Sequence, residues 1–175
     1  MIKSAQFFVL LIACHLTTPG FTQGVIPSVI PGAIDRLVSE GQQGFEKIKG
    51  KLWNNDGDAT NWQSTYNLPG GGEADIDFDK SDRYTQWEQP LYADPDEGRA
   101  QTKFGEYVRE FKKIFPNSTV NRHQIKLRDR SITSYVITGE QSNVKFRLNL
   151  KDHQRFDRNN RDVWMVRLSA TWARD

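Results

Sequence analysis

A single cysteine, Cys14, stands in a chain of 175 residues, and it lies in the chain's longest apolar run. No disulfide can close within the chain, which excludes small cysteine-stapled scaffolds and leaves stability to a hydrophobic core. With three histidines and no Cys/His pairs at ligand spacing, zinc modules are excluded as well. No glycine-rich phosphate loop and no Gly-x-Ser-x-Gly elbow occurs. Beyond Leu16 no segment is apolar enough to span a membrane. What the N-terminus does contain is Lys3 followed by the apolar stretch Ala5 to Ala13, too short to cross a bilayer. Residues 1–22 therefore read as a signal peptide, with Thr18-Pro19-Gly20 and Gly20-Phe21-Thr22 offering small residues for cleavage, and the chain as a secreted one. Leu11-Ile12-Ala13-Cys14 also fits a lipobox, the alternative being a bacterial lipoprotein anchored through Cys14. A length of 175 residues predicts one domain over residues 33–175, after a proline-containing arm at 23–32.

Net charge is only +2, but the charges are sorted along the chain. From Asn54 to Thr102 there are 11 acidic and 3 basic residues; from Lys103 to Asp175 there are 8 acidic and 16 basic. An acidic layer and a basic layer are expected to meet in the fold, and a basic sheet face carrying Lys145, Arg147 and Lys151 is the candidate site for an anionic partner. A nearly neutral exported chain does not suit nucleic acid.

Val25-Ile-Pro-Ser-Val-Ile-Pro-Gly32 predicts extended, polyproline-like backbone, read as a mobile arm. Ile34, Leu37, Val38, Phe45, Ile48 and Leu52 fall near one helical stripe over Ala33 to Trp53, weakened at Gly41 and Gly44. Asp75-Ile-Asp-Phe-Asp79 alternates as a half-buried strand does, and Trp87 and Tyr92 lead toward a loop at Asp94 to Gly98. Phe104, Tyr107, Val108, Phe111, Ile114 and Phe115 mark a strongly amphipathic helix that starts near Arg99 or Thr102 and stops at Pro116. Strands follow at Val120 to Leu127, Ser131 to Thr138, Val144 to Lys151 and Val163 to Trp172, with a hairpin loop at Arg158 to Arg161. The fold class is α+β: helices packed on a strongly curved antiparallel sheet.

Phe104 to Pro116, His123 to Leu127, Ser131 to Gly139 and the hairpin from Asp157 to Trp172 resemble the nuclear transport factor 2-like superfamily. Leu52 to Asp58 and Trp62 to Tyr66 are similar to that superfamily's first helix, turn and second short helix. The resemblance covers residues 33–175 and implies a cone, with a cavity at its wide end and dimerisation through the outer face of the sheet. It does not carry over the tyrosine and two acidic residues of the superfamily's isomerases, because no such set aligns with this chain.

Several side chains are candidates for chemistry. His123, on a strand with Ile125 and Leu127 on its own face, is the candidate general base of a cavity. Trp62, Tyr66, Trp87, Tyr107, Tyr135 and Trp164 are the candidate lining of an apolar ligand pocket, although the same rings would equally fill a solid core. Asn117-Ser-Thr119 is a glycosylation sequon placed after a helix-ending proline. The aspartates at 75, 77, 79 and 82 lack the glycine and distal acid of a calcium loop, Lys80 and Gln86 standing in those places, so no metal and no cofactor is expected. These features predict a non-enzymatic binding or interaction domain that uses an apolar cavity or a basic sheet face, with a small apolar ligand or an anionic or protein partner. The alternatives are a cofactor-free isomerase, cyclase or dehydratase working by proton transfer at His123, and a structural oligomerisation module. On each reading a homo-oligomer, most simply a homodimer, is expected.

Overall fold

The computed structural model describes residues 24–55, 58–126, 131–153 and 163–173. Residues 1–22, read above as a signal peptide, residues 56–57 and the hairpin loop expected at Arg158 to Arg161 lie outside the described residues. Two helices and eight strands follow in the order α1 (Ile30–Gly41), β1 (Lys49–Asn55), β2 (Ala59–Ser64), β3 (Asp75–Asp79), β4 (Tyr84–Asp94), α2 (Glu97–Ile114), β5 (Asn121–Lys126), β6 (Ser131–Gln141), β7 (Val144–His153) and β8 (Val163–Ala173). All eight strands form one antiparallel sheet in the order β1-β2-β3-β4-β8-β7-β6-β5. Chain order and sheet order together reveal a repeat: a helix and a four-stranded meander occur twice, and the last strands of the two halves, β4 and β8, pair at the centre.

The N-terminal half departs from the periodicity reading. Pro27 opens a 3-10 turn and Pro31 sits in the first turn of α1, where a proline lacks no hydrogen bond that the helix needs. The supposed arm is thus part of the fold: Val25 is fully buried, and its N–H donates to the Leu91 carbonyl (3.0 Å). α1 ends at Gly41 rather than near Trp53, because Gly44 and Phe45 take left-handed backbone (φ 65° and 60°) and turn the chain into β1. Trp62 likewise belongs to strand β2, not to a second short helix.

The amphipathic helix α2 begins two residues before Arg99, because the Asp96 carboxylate accepts from the Arg99 N–H (2.8 Å) and caps it. Its apolar stripe of Ala100, Phe104, Tyr107 and Phe111 and that of α1, Ile30, Ala33, Ile34 and Leu37, pack on the same face of the sheet. The core lies between these stripes and Ile76, Trp87, Leu91, Phe146, Leu148, Val166 and Leu168. Gly139 lies under the Phe115 ring, where any Cβ would collide, so the end of α2 and β6 approach as only glycine permits.

Candidate functional site

Alternation along the strands sends every second side chain to the face away from the helices, and among the described residues no element lies over that outer face. The register aligns its residues in rows. One row reads Asn61, Asp77, Gln86, Thr171, Lys145, Glu140; the next reads Gln63, Asp75, Glu88, Ser169, Arg147, Thr138. Acids therefore collect on β3 and bases on β7, separated by the polar β4–β8 seam.

Hydrogen bonds between neighbouring strands hold the seam and the acidic side in place. Asn54 donates to Asn61 (3.1 Å), Asn61 to Asp77, Thr171 to Gln86 (3.1 Å), and Arg167 pairs with Glu88 (2.5 Å). Burial, and then the carboxylates of Asp77, Glu73 and Glu88, push the Asp75 carboxyl up from its ordinary value. Burial and then Asp79, Asp82 and Asp77 raise the Tyr84 phenol on the same side. Arg167, beside Glu88, pulls the Asp75 carboxyl the other way. On the other half Lys145, Arg147 and Lys151 are exposed and form no ion pair among the described residues.

Two grooves meet at Arg147. One, of about 380 Å³, runs along β5, β6 and β7 and joins His123, Arg147 and Lys151 to Ser134 and Asn149, with Ile125, Ile132 and Val136 as its apolar floor. The other, of about 550 Å³, places Lys145 and Arg147 beside Gln86, Ser169 and Thr171. The predicted base and two of the predicted anion-binding residues thus share one site. His123 stands on the outer face of the edge strand β5, opposite Ser134, and not on the helix-covered side where a cavity base was expected. It shares this groove with two cations, Arg147 and Lys151.

The aromatic set is spread through the interior. Trp87 and Tyr107 are fully buried with their polar tips satisfied inside the protein: the indole N–H donates to Ser64 Oγ (3.2 Å) and the Tyr107 hydroxyl to the Val25 carbonyl (2.7 Å). Burial raises the Tyr107 phenol well above its usual range. Tyr66 packs against Trp87 under the Arg36 guanidinium, and Trp62 carries the Lys49 ammonium 4.1 Å from its ring centre. Tyr135 and Trp164 are partly buried against the core. For Trp87 and Tyr107 a ligand has no surface to touch; they form the core that the pocket reading held as its alternative. Asn117 is exposed in the turn after α2, with the Ser118 hydroxyl tied to the Thr138 carbonyl (2.6 Å). No group of His, Cys, Asp or Glu among the described residues is placed to hold a metal ion. None of their helices is long and apolar enough to cross a membrane.

The outer-face partners Ile132, Ser134 and Val136 are not legible in the sequence. Strict alternation in β7 points Arg147, Asn149 and Lys151 the same way, which marks Asn149; β6 mixes apolar and polar side chains on both faces and gives no such signal. In comparison with known proteins, no family model, no curated protein and no solved structure matches the chain.

Proposed function

We propose that this chain is an exported interaction domain that binds its partner on the outer face of the sheet, the basic strip of β7 and β5 receiving acidic groups. One observation carries the reading. Both helices cover one face of an eight-stranded sheet, while the other face presents sorted charges and a groove that combines His123, Arg147 and Lys151 with an apolar floor. Such a strip gives electrostatic steering and register, and Ile125, Ile132 and Val136 supply the area a neighbouring apolar side chain would bury. Export rests on residues 1–22, and exposure of the sequon makes Asn117 a glycan acceptor if the chain is exported through a glycosylating pathway.

The nuclear transport factor 2-like reading draws support from the long amphipathic α2 packed on an antiparallel sheet. Strands at Lys49–Asn55 and Ala59–Ser64, where that resemblance calls for helix, weigh against importing its cavity chemistry. Proton transfer in an interior cavity draws no support from His123, whose side chain is on the far side of the sheet from the core.

The test is fluorescence anisotropy with a labelled oligoglutamate peptide at low salt. Arg147→Glu with Lys151→Glu should weaken binding by about tenfold or more, since several rim charges change together. Arg109→Glu with Lys112→Glu on the exposed side of α2 changes net charge equally and should leave affinity unchanged. Equal losses for the two pairs would mean a response to net charge only, and would overturn the assignment to this face.

A further inference from the structure

The sheet has two edges, and they differ. β1 is interrupted by register shifts between Lys49 and Leu52 and between Leu52 and Asn54, and such bulges break the row of outward N–H and C=O groups that a further strand would need. β5 pairs with β6 in unbroken register from Asn121 with Val136 to Lys126 with Ser131, contains no proline, and is exposed at every residue. Alternate N–H and C=O groups of β5 therefore turn away from the sheet in a regular row. We infer that β5 takes up an extended acidic segment of another protein as a ninth strand, held main chain to main chain and selected by the charge of its side chains. This surface is the rim of the sheet, and it does not depend on the outer face proposed above.

Charge decides what can be added. Arg122 and Lys126 share the side of β5 on which Tyr135 lies, while His123 and Ile125 share the other side, where they line the groove with Lys151. Neither β5 nor the stretch of β6 paired with it, Ser131 to Val136, includes a carboxylate. A strand lying beside β5 would place acids next to Arg122 and Lys126 on one side and an apolar residue next to Ile125, which is 56% exposed, on the other. Cations on an edge strand ordinarily keep sheets from joining, and they act so here toward a second copy, because two β5 strands side by side bring Arg122, His123 and Lys126 against like charge. The guard is selective: the regular edge beneath it stays open to a strand of opposite sign.

There is room for it. The helix-covered layer reaches β6, where Tyr135 is partly buried and its hydroxyl accepts from the Gln101 amide of α2 (3.3 Å). β5 lies beyond that layer, exposed on both faces, so neither helix blocks a strand about 4.8 Å farther out. A strand of 6 residues is of ordinary length, enough to pair with a segment of about the same size.

Fluorescence anisotropy with the labelled peptide Thr-Glu-Val-Thr-Val-Glu-Thr tests this at about 20 mM salt. Its glutamates fall beside Arg122 and Lys126 in either strand direction, with a valine beside Ile125. The peptide should bind, and the same peptide with lysine in place of glutamate should not. An added strand uses only one of its own edges, so a peptide N-methylated at both valines and one N-methylated at the glutamates and the central threonine should differ: one should lose about tenfold or more in affinity and the other should keep it. Arg122→Glu with Lys126→Glu should weaken the parent peptide about tenfold or more, whereas Arg147→Glu with Lys151→Glu should change it by less than about threefold. Circular dichroism checks that both variants are folded, and the methylated peptides test the wild type without any substitution. Failure of the glutamate peptide to bind, equal binding of the lysine peptide, equal effects of the two methylation patterns, or equal losses from the two charge pairs would overturn strand addition at β5. Should it fail while oligoglutamate still responds to Arg147 and Lys151, the outer face stands without the edge; should the edge hold while that response is absent, the reverse is true.

Discussion

Gln89 carries a disproportionate share of the order in this molecule. Its side chain is fully buried in a central strand, an arrangement that is costly unless every polar atom is used. Oε1 accepts from the Leu68 N–H (2.8 Å), while Nε2 donates to the carbonyls of Leu68 (3.1 Å) and Gly72 (2.7 Å), pinning the loop between β2 and β3 onto the helix-covered face. Leu68 O also receives the Gly71 N–H, so it keeps a partner if Gln89 is lost; the Leu68 N–H and the Gly72 carbonyl lose the bonds that the Gln89 amide makes to them. Gln89→Leu preserves volume and leaves the buried Leu68 N–H and the half-buried Gly72 carbonyl unsatisfied, at about 1–3 kcal/mol for the first and less for the second. Urea denaturation should show a loss of roughly 1–4 kcal/mol, with early amide exchange confined to residues 65–74; a loss under about 0.5 kcal/mol would mean that water replaces the amide.

Polar residues at inward positions also explain which elements the sequence reveals. β7 alternates cleanly, Val144, Phe146, Leu148 and Leu150 inward, and its strand and basic face were both legible. β4 sends Thr85, Trp87, Gln89 and Leu91 inward and β2 sends Thr60, Trp62 and Ser64, so hydrogen-bonded polar side chains break the hydrophobic pattern and both strands were missed. Pro90 adds to the concealment: it lies beyond the last β3 pair, Asp75 with Glu88, at a register shift against β8, where a ladder tolerates proline. Which face a strand turns outward depends on long-range pairing, so His123 could be placed on a strand but not on its side of the sheet. The junction from β4 to α2 offers an element-scale test. Asp94 accepts from the Arg99 guanidinium (2.8 and 3.0 Å), the Asp96 N–H (2.7 Å) and the Tyr92 hydroxyl (2.8 Å), and the Arg99 bonds above all hold its carboxyl down to about 2. A carboxyl depressed in the folded state binds fewer protons there than in the unfolded chain, so its contribution is present above about pH 4 and is lost as pH falls toward about 2. Arg99 is largely exposed, which limits the contribution to at most about 1 kcal/mol. Asp94→Asn should therefore flatten the decline in urea midpoint between about pH 5 and about pH 3 relative to the wild type; parallel declines would assign the acid sensitivity elsewhere.

On the scale of the whole molecule, the two helix-plus-four-strand units do not close separate cores. α1, from the first unit, packs on β7 and β8 of the second, where Gly41 meets Val144 and Gly44 meets Trp172; α2, from the second, packs on β4 of the first through Tyr107, whose hydroxyl bonds the Val25 carbonyl. β4 and β8, paired over most of their length, join the units along 11-residue strands. Cutting the chain between them would expose both the seam and the inner faces of both helices, and neither half would retain a closed apolar layer. Unfolding should consequently be one transition, with tryptophan fluorescence and far-ultraviolet circular dichroism giving coincident urea midpoints. Tyr107→Phe removes only the hydroxyl that ties α2 to the N-terminal segment and should lower that shared midpoint, at a cost of about 1 kcal/mol, without splitting it. Two resolved transitions in either protein would mean that the units hold their own cores, and the interlocking of α1 with β7 and β8 would then be no source of cooperativity.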